Sequence, residues 1–347
     1  MLTAAYVGNR TIELQKARAL PPARGQVRIH VAFVGLCGTD LHIVHGSMDR
    51  RVHVPLIFGH EMSGTIDEVG GGVDGWATGD KVTVMPLVWD DTCPACRAGN
   101  RHICQNLNFV GIDSPGALQP LWNLPASTLV RVPQHTGLRD AALVEPVAVA
   151  VHDVRRGRVS AGDKIVVVGG GPIGLIIATV ARHVGGEVAV VELDPTRRAL
   201  AAELGFTALH PEDFDDPAWV DEWTGGAGAD VVFEVSGAAA GIALALPLAK
   251  VRGTIVVVGI HPEPRGVDLQ RIFWRELTIV GARVYERTDF EAAVELVSSG
   301  VIPTRALITH VVPLAETQAG LKELEGGSAM KVLVDVRAGQ PDEDASW

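Results

Sequence analysis

Residues 164–194, KIVVVGGGPIGLIIATVARHVGGEVAVVELD, permit few folds. An apolar run ends at glycines, a long apolar segment follows, and a second apolar run closes on acids. Val166, Val167 and Val168 are β-branched, as a buried parallel strand prefers. The glycines fall as G-x-G-x-x-G at Gly169, Gly171 and Gly174, with Pro172 and Ile173 inside the turn. The spacing predicts a strand, a tight turn, a helix and a second strand. In such a unit Gly169 permits the turn, Gly171 lets a pyrophosphate approach the backbone, and Gly174 lets the helix pack close to the sheet. The helix N-terminus then offers unpaired N–H groups and a positive dipole end to the phosphates. Glycine turns are common, so context decides. Glu192 lies 23 positions beyond Gly169, close to the ~20 expected of the acid that binds the adenosine ribose. It ends the strand, which makes it a better ribose partner than Asp194. An acid there repels a 2′-phosphate and favours NAD over NADP. Arg197 and Arg198 follow soon after, and Arg197 is a further candidate for the cofactor site.

A chain of 347 residues suggests two domains. Hydrophobic residues at 47% and charged ones at 20% suit a large globular core. A net charge of −11 gives no reason to expect nucleic acid as a partner. The first residues lack the basic start and apolar stretch of a signal peptide. No apolar run approaches the ~20 residues that cross a bilayer; the longest, 175–184, is broken by Arg182 and His183. The expectation is a cytoplasmic protein without a membrane partner. Three of the four cysteines are clustered, which points to metal rather than to a disulfide framework.

Residues 1–150 read as β-rich, with alternation over 26–34 and further strands at 64–69 and 80–84. From 151 to 284 short apolar strands at 164–168, 188–191, 231–235, 255–258 and 277–280 alternate with helical segments. That is the pattern of a doubly wound parallel sheet. From 285 onward a helix over 289–299 is followed by apolar runs at 307–312 and 331–336. The last residues, AGQPDEDASW, read as a polar tail.

Two groups of residues carry metal-ligand chemistry. In DDTCPACRAGNRHIC, Cys93 and Cys96 form a C-x-x-C pair and Cys104 adds a third thiolate. Four-coordinate zinc wants one more donor. Asp90 can supply it, with Asp91 and His102 as rivals; free or redox-active thiols are the competing reading. The second group is dispersed: Cys37 in GLCGTDLH, and His60 and Glu61 in FGHEMSG. A thiolate, an imidazole and a carboxylate suit zinc and leave a position open for substrate. Taken alone, Cys37 reads as a buried apolar residue and His60 as a satisfied polar one, and spacing leaves the metal reading and this one open.

Taken in order, GLCGTDLH, GHEMSGTIDEVG, the clustered cysteines, VEPVAVAVH and VVVGGGPIG resemble the zinc-dependent medium-chain dehydrogenase/reductase family over almost the whole chain. The resemblance implies an α/β fold. A GroES-like β-rich catalytic domain would span 1–150 and a Rossmann NAD-binding domain 151–284, with 285–347 returning to the catalytic domain. It implies catalytic zinc on Cys37, His60 and Glu61, with Glu145 ligating the zinc or hydrogen-bonding its water. A structural zinc would sit on Asp90, Cys93, Cys96 and Cys104, where Asp90 replaces the usual first cysteine. Thr39 and His42 match a proton relay to solvent, and hydride would pass from an alcohol carbon to NAD⁺. Glu61 with Glu145, and the segment GARVYERTDFEAAVELVSSG with Tyr285, resemble the polyol and diol branch; Val284 replaces an arginine of sorbitol dehydrogenases. The implied substrate is a diol or polyol with a secondary hydroxyl. The alternatives are a threonine or simple alcohol dehydrogenase, and a non-catalytic NAD-binding protein. Members of the family are dimers or tetramers, so a homo-oligomer is expected.

Overall fold

The alternation of residues 26–34 becomes an eleven-residue strand, Gln26–Leu36, around which the first sheet is built. Val27, Ile29 and Val31 are buried and His30 is exposed, the period of two expected of a half-buried strand. The structure is a computed structural model that describes residues 1–214, 218–327 and 329–339. Residues 340–347, most of the expected polar tail, lie outside the described residues.

The chain divides into two units, Met1–Glu145 with Glu286–Trp347, and Pro146–Tyr285. The first unit opens with a hairpin of β1 (Leu2–Gly8) and β2 (Thr11–Lys16). It continues through β3 (Gln26–Leu36), β4 (Glu61–Val69), β5 (Lys81–Val84), β6 (Leu87–Val88), β7 (Asn108–Phe109), β8 (Leu121–Pro125) and β9 (Leu129–Arg131). The second unit holds β10 (Lys164–Val168), β11 (Glu187–Val191), β12 (Thr207–Leu209), β13 (Ala229–Glu234), β14 (Ala249–Val257) and β15 (Thr278–Gly281). The chain then returns to the first unit as β16 (Ile308–Pro313) and β17 (Lys331–Asp335).

In the first unit the strands run β16-β17-β3-β4-β5-β9. One edge of β3 is shared: β8 pairs with residues 26–30 and β17 with residues 33–36. The last of the described strands is therefore laid against the end of β3, next to Cys37. Leu333 stands opposite Gly35, and Gly35 opposite Glu61.

In the second unit six parallel strands run β12-β11-β10-β13-β14-β15. β10 has β11 on one side and β13 on the other, so the strand order reverses at the glycine loop that follows it. Ligands of open α/β sheets bind at such a reversal. Val166, Val168, Val232, Ile242, Leu246 and Ile255 form its core. β14 begins at Ala249, six residues before the apolar run that marks it in the sequence, because Lys250 and Arg252 flank the exposed Val251 and leave no apolar run there.

Two glycines of the loop are demanded by geometry. Gly169 sits at φ +109°, a region that side chains rarely adopt. A Cβ on Gly174 would stand 1.8 Å from the Gly169 carbonyl oxygen, which is backbone and cannot move aside cheaply. Gly174→Ala should therefore destabilise the second unit by about 3 kcal/mol, read as a lower urea midpoint. An unchanged midpoint would contradict the close packing described here.

Candidate active site

The end of β3 and the start of β4 bring together the dispersed donors. Cys37 leads into the helix Gly38–Val44, and its N–H donates to Asp40 Oδ2 at 2.8 Å, which fixes the turn. Glu61 opens β4, and its pairing with Gly35 places His60 beside Cys37, Nε2 to Sγ 3.4 Å. The donor atoms of Cys37, His60 and Glu61 all lie within 4.8 Å of one another. The His60 ring stands edge-on to Phe109, centroids 5.2 Å apart. Its Nδ1 is 3.8 Å from Asp40 Oδ1, and both atoms are buried without a hydrogen-bond partner. An imidazole with one nitrogen toward a thiol and the other toward a carboxylate has the orientation metal-binding histidines adopt.

The electrostatics fit a dication. Burial pushes the Cys37 thiol well above its ordinary range, and the neighbouring Asp40 and Glu61 add to the shift. Burial also raises Asp40. Thiol, imidazole and carboxylate are a zinc donor set, and a bound dication inverts this local logic by favouring the thiolate.

The clustered cysteines also converge. Donor atoms of Asp90, Cys93, Cys96 and Cys104 lie within 4.8 Å of one another. Asp90 Oδ1 accepts the N–H groups of Thr92 and Cys93 at 2.8 and 2.9 Å, and Oδ2 accepts Asn106 Nδ2 at 2.6 Å. These donors, that of Cys93 foremost, hold the Asp90 carboxyl far below the usual carboxylate range. Cys93 Sγ accepts the N–H groups of Cys96 and Gln105, both at 3.4 Å, and Cys104 Sγ that of Asn106 at 3.3 Å. The N–H groups on Cys93 lower its pKa, whereas desolvation and hydrogen bonds to Cys93 and Cys104 push Cys96 up to about 12. Asp91 turns away to Arg101, 2.6 Å, and His102 is buried outside the group. Of the three candidates for the fourth donor, the structure brings Asp90 to the sulfurs.

At the glycine loop, Gly171 caps the helix Pro172–His183, whose first turn holds Pro172, Ile173 and Gly174. Around Gly171 a Cβ would meet only Arg197 Nη1, at 3.9 Å, so open space flanked by a cation adjoins the helix N-terminus. Glu192 is buried, with Oε2 accepting the Gly170 N–H at 2.7 Å and Oε1 the Asp194 N–H at 2.8 Å. One lone pair on each oxygen remains for another donor.

Residues 23–134 match the family model of the alcohol dehydrogenase GroES-like domain, and residues 172–299 that of the zinc-binding dehydrogenases. The chain belongs to the zinc-dependent medium-chain dehydrogenase family. It is 48% identical over 341 residues to 2-dehydro-3-deoxy-L-galactonate 5-dehydrogenase of Pseudoalteromonas atlantica, covering 98% of this chain and 100% of that one. It is 32% identical to the sorbitol dehydrogenase of Halalkalibacterium halodurans over 90% of this chain and 92% of that one. The Escherichia coli alcohol dehydrogenase rspB, solved with the cofactor NADH, superposes with a TM-score of 0.88 at 27% identity, covering 96% of this chain and 99% of that one. This dehydrogenase therefore combines a GroES-like domain with a Rossmann domain and is an alcohol or polyol oxidoreductase.

The remaining expected residues of the dehydrogenase are placed as follows. Thr39 is half-buried and His42 exposed, three residues apart on the helix Gly38–Val44 and hence on neighbouring positions of its surface. Glu145 is buried in the first turn of the helix Val144–Arg156, close enough for its charge to bear on Lys331 but outside the three-donor group. Tyr285 is fully buried.

Two features had no signal in the sequence. Lys331 is buried on β17, and its Nζ donates to both Glu61 oxygens at 2.8 and 2.7 Å and to Leu36 O at 3.3 Å. Burial works against the ammonium, but the Glu61 carboxylate and Cys37 outweigh it and hold the pKa up. In the second unit Glu234, wholly buried at the end of β13, accepts from Ser236 Oγ and Gly237 N–H and pairs with His261 Nε2 at 2.9 Å. That pair ties together the loops after β13 and β14.

For the cysteine site, Asp90→Ala should weaken zinc binding on the order of tenfold or more, whereas Asp91→Ala should leave it unchanged. Protection of Cys93 from alkylation in chelator-buffered zinc measures both. Equal losses in the two variants would contradict the assignment of Asp90.

Proposed function

We propose that this dehydrogenase oxidises a secondary hydroxyl of a polyhydroxylated sugar acid, with NAD⁺ as hydride acceptor. The observation that carries the reading is the 48% identity, over 98% of the chain, to 2-dehydro-3-deoxy-L-galactonate 5-dehydrogenase. The sorbitol dehydrogenase relative supports the wider class of secondary polyol hydroxyls.

Cys37, His60 and Glu61 hold the catalytic zinc, and Glu145 serves the same centre from its buried helix turn. Zinc, when bound, supplies Lewis acidity toward the oxygen of the substrate hydroxyl. Thr39 Oγ1 would accept the proton of that hydroxyl while giving up its own toward the His42 imidazole, which is exposed and releases a proton to solvent. Asp40 keeps the His60 ring oriented. The buried walls of the cluster exclude water and strengthen its charge interactions. Asp90, Cys93, Cys96 and Cys104 hold a second, structural zinc. The closed four-donor set supports that role.

Gly169, Gly171, Pro172, Ile173 and Gly174 cradle the pyrophosphate, and Arg197 flanks it. Glu192 takes the adenosine ribose with the lone pairs left to it. NAD⁺ supplies the hydride acceptor. The GroES-like catalytic domain spans 1–150, the Rossmann domain 151–284 and the C-terminal return 285–347.

The enzyme works as a homodimer or homotetramer in the cytoplasm. β15 ends its sheet with an unpaired edge among the described strands, and on the helix Leu269–Arg275 that precedes it in the chain Phe273 and Trp274 are each 72% exposed and Leu269 70%. Such a patch supports a second copy as its cover. No helix among the described residues is long and apolar enough to cross a membrane, and the four cysteines form no disulfide.

The test is NADH formation with sugar acids, sorbitol, threonine and simple alcohols. Sugar acid kcat/KM should exceed that of 2-propanol on the order of 10⁴-fold, because a site built for polar groups rejects substrates lacking them. A preference for threonine or a simple alcohol would overturn the substrate, and a preference for NADP⁺ would overturn the role of Glu192. Cys37→Ala should abolish turnover and leave NAD⁺ affinity unchanged; retained turnover would contradict the zinc mechanism. Trp274→Asp should shift the sedimentation coefficient toward that of a monomer, and an unchanged assembly would place the interface elsewhere.

A further inference from the structure

Glu61 opens β4 and Lys331 opens β17, and β3 lies between those strands. Two strand spacings amount to about 10 Å, too far for a direct contact unless the side chains lie across the middle strand. Gly35 makes that crossing. It pairs with Glu61 on one side and Leu333 on the other, and a Cβ on it would stand 2.2 Å from Glu61 Oε2. The Glu61 carboxylate occupies the space where a side chain at position 35 would be. Having crossed, it presents both oxygens to Lys331 Nζ at 2.8 and 2.7 Å, with each partner 2% exposed.

Glu61 therefore serves two cations. The ammonium grips both oxygens from β17, and the donor atoms of Cys37 and His60 lie within 4.8 Å of the same carboxylate, close enough to hold a dication with it. Resting on the zinc reading of this site, we propose that Lys331 is a positioning residue that competes with the metal for Glu61. Its grip keeps Glu61 a displaceable ligand, so that a metal position stays open to the substrate hydroxyl.

The competition has a consequence opposite to that of a structural ion pair. Removing one partner of a buried pair leaves an uncompensated charge at high cost. With Lys331 gone, the metal is the cation left within reach of Glu61, and the carboxylate closes on it. Loss of Lys331 should thus tighten the metal while obstructing turnover. Were Lys331 merely a link between strands, its loss would loosen the metal along with the fold.

The test compares the wild-type holoenzyme with Lys331→Met, Lys331→Gln, Lys331→Arg and the double variant Glu61→Gln/Lys331→Met. Protection of Cys37 from alkylation, read by peptide mass spectrometry across chelator-buffered free zinc, gives the affinity of this site alone. Lys331→Met and Lys331→Gln should bind zinc on the order of tenfold more tightly, and their cobalt-substituted forms should show a spectrum shifted by a more tightly bound Glu61 oxygen. Lys331→Arg should match the wild type. The double variant should lose the gain, since the coupling is between these two residues. Zinc binding unchanged or weaker in both Lys331→Met and Lys331→Gln, with an unaltered cobalt spectrum, overturns the competition. Failure of zinc to protect Cys37 in the wild type instead overturns the zinc reading on which it rests.

Discussion

Charge balance in a buried cluster sets the terms for the first unit. Asp40, Glu61 and Lys331 are buried, and the half-buried Cys37 lies beside them. Of these four only Lys331 is a cation, and it is already committed to Glu61. A thiol pushed up by burial beside two carboxylates is a site in want of positive charge. Burying such groups costs several kcal/mol per ion unless they are paired. A dication on Cys37 and His60 would meet that cost and make the thiol a ligand. The strand order β17-β3-β4 lays Lys331 across Gly35 from the acid of β4.

The two units meet different physical requirements. The first holds every donor of both metal groups, on strand ends and tight turns fixed by backbone N–H groups. The second needs an exposed backbone and a helix end. Gly169 bends, Gly174 admits the helix, and Gly171 leaves the N-terminus open beside Arg197. Glu192 does more than its spacing implied: it braces the loop through Gly170 and the following turn through Asp194. The acid proposed for the ribose is thus also a brace of the loop, so replacing it would disturb the turn as well as the cofactor site.

Legibility in the sequence followed the range of the interactions. The glycine loop and the cysteine cluster are local, and turn chemistry or ligand spacing within about fifteen residues reveals them. The strands of the second unit were legible as apolar runs, whereas the polar first half of β14 and the short β6, β7 and β12 were not. Cys37, His60 and Glu61 were ambiguous by spacing and became readable through the family resemblance. Lys331 was invisible, since its partner lies 270 positions away and only the register of three strands brings them together. Gly35 drew no reading of its own from the sequence, and the structure makes it the gap that lets the acid cross. Glu234 and His261 were missed for the same reason, because loops after adjacent strands meet only in the folded sheet.

The most direct test of the central claim is anomalous diffraction at the zinc edge from crystals of the purified enzyme. A peak bounded by Cys37 and His60, with Glu61 shared between it and Lys331, is the predicted result, together with a second peak among Asp90, Cys93, Cys96 and Cys104. Zinc-replete crystals with no anomalous density between Cys37 and His60 would contradict the account.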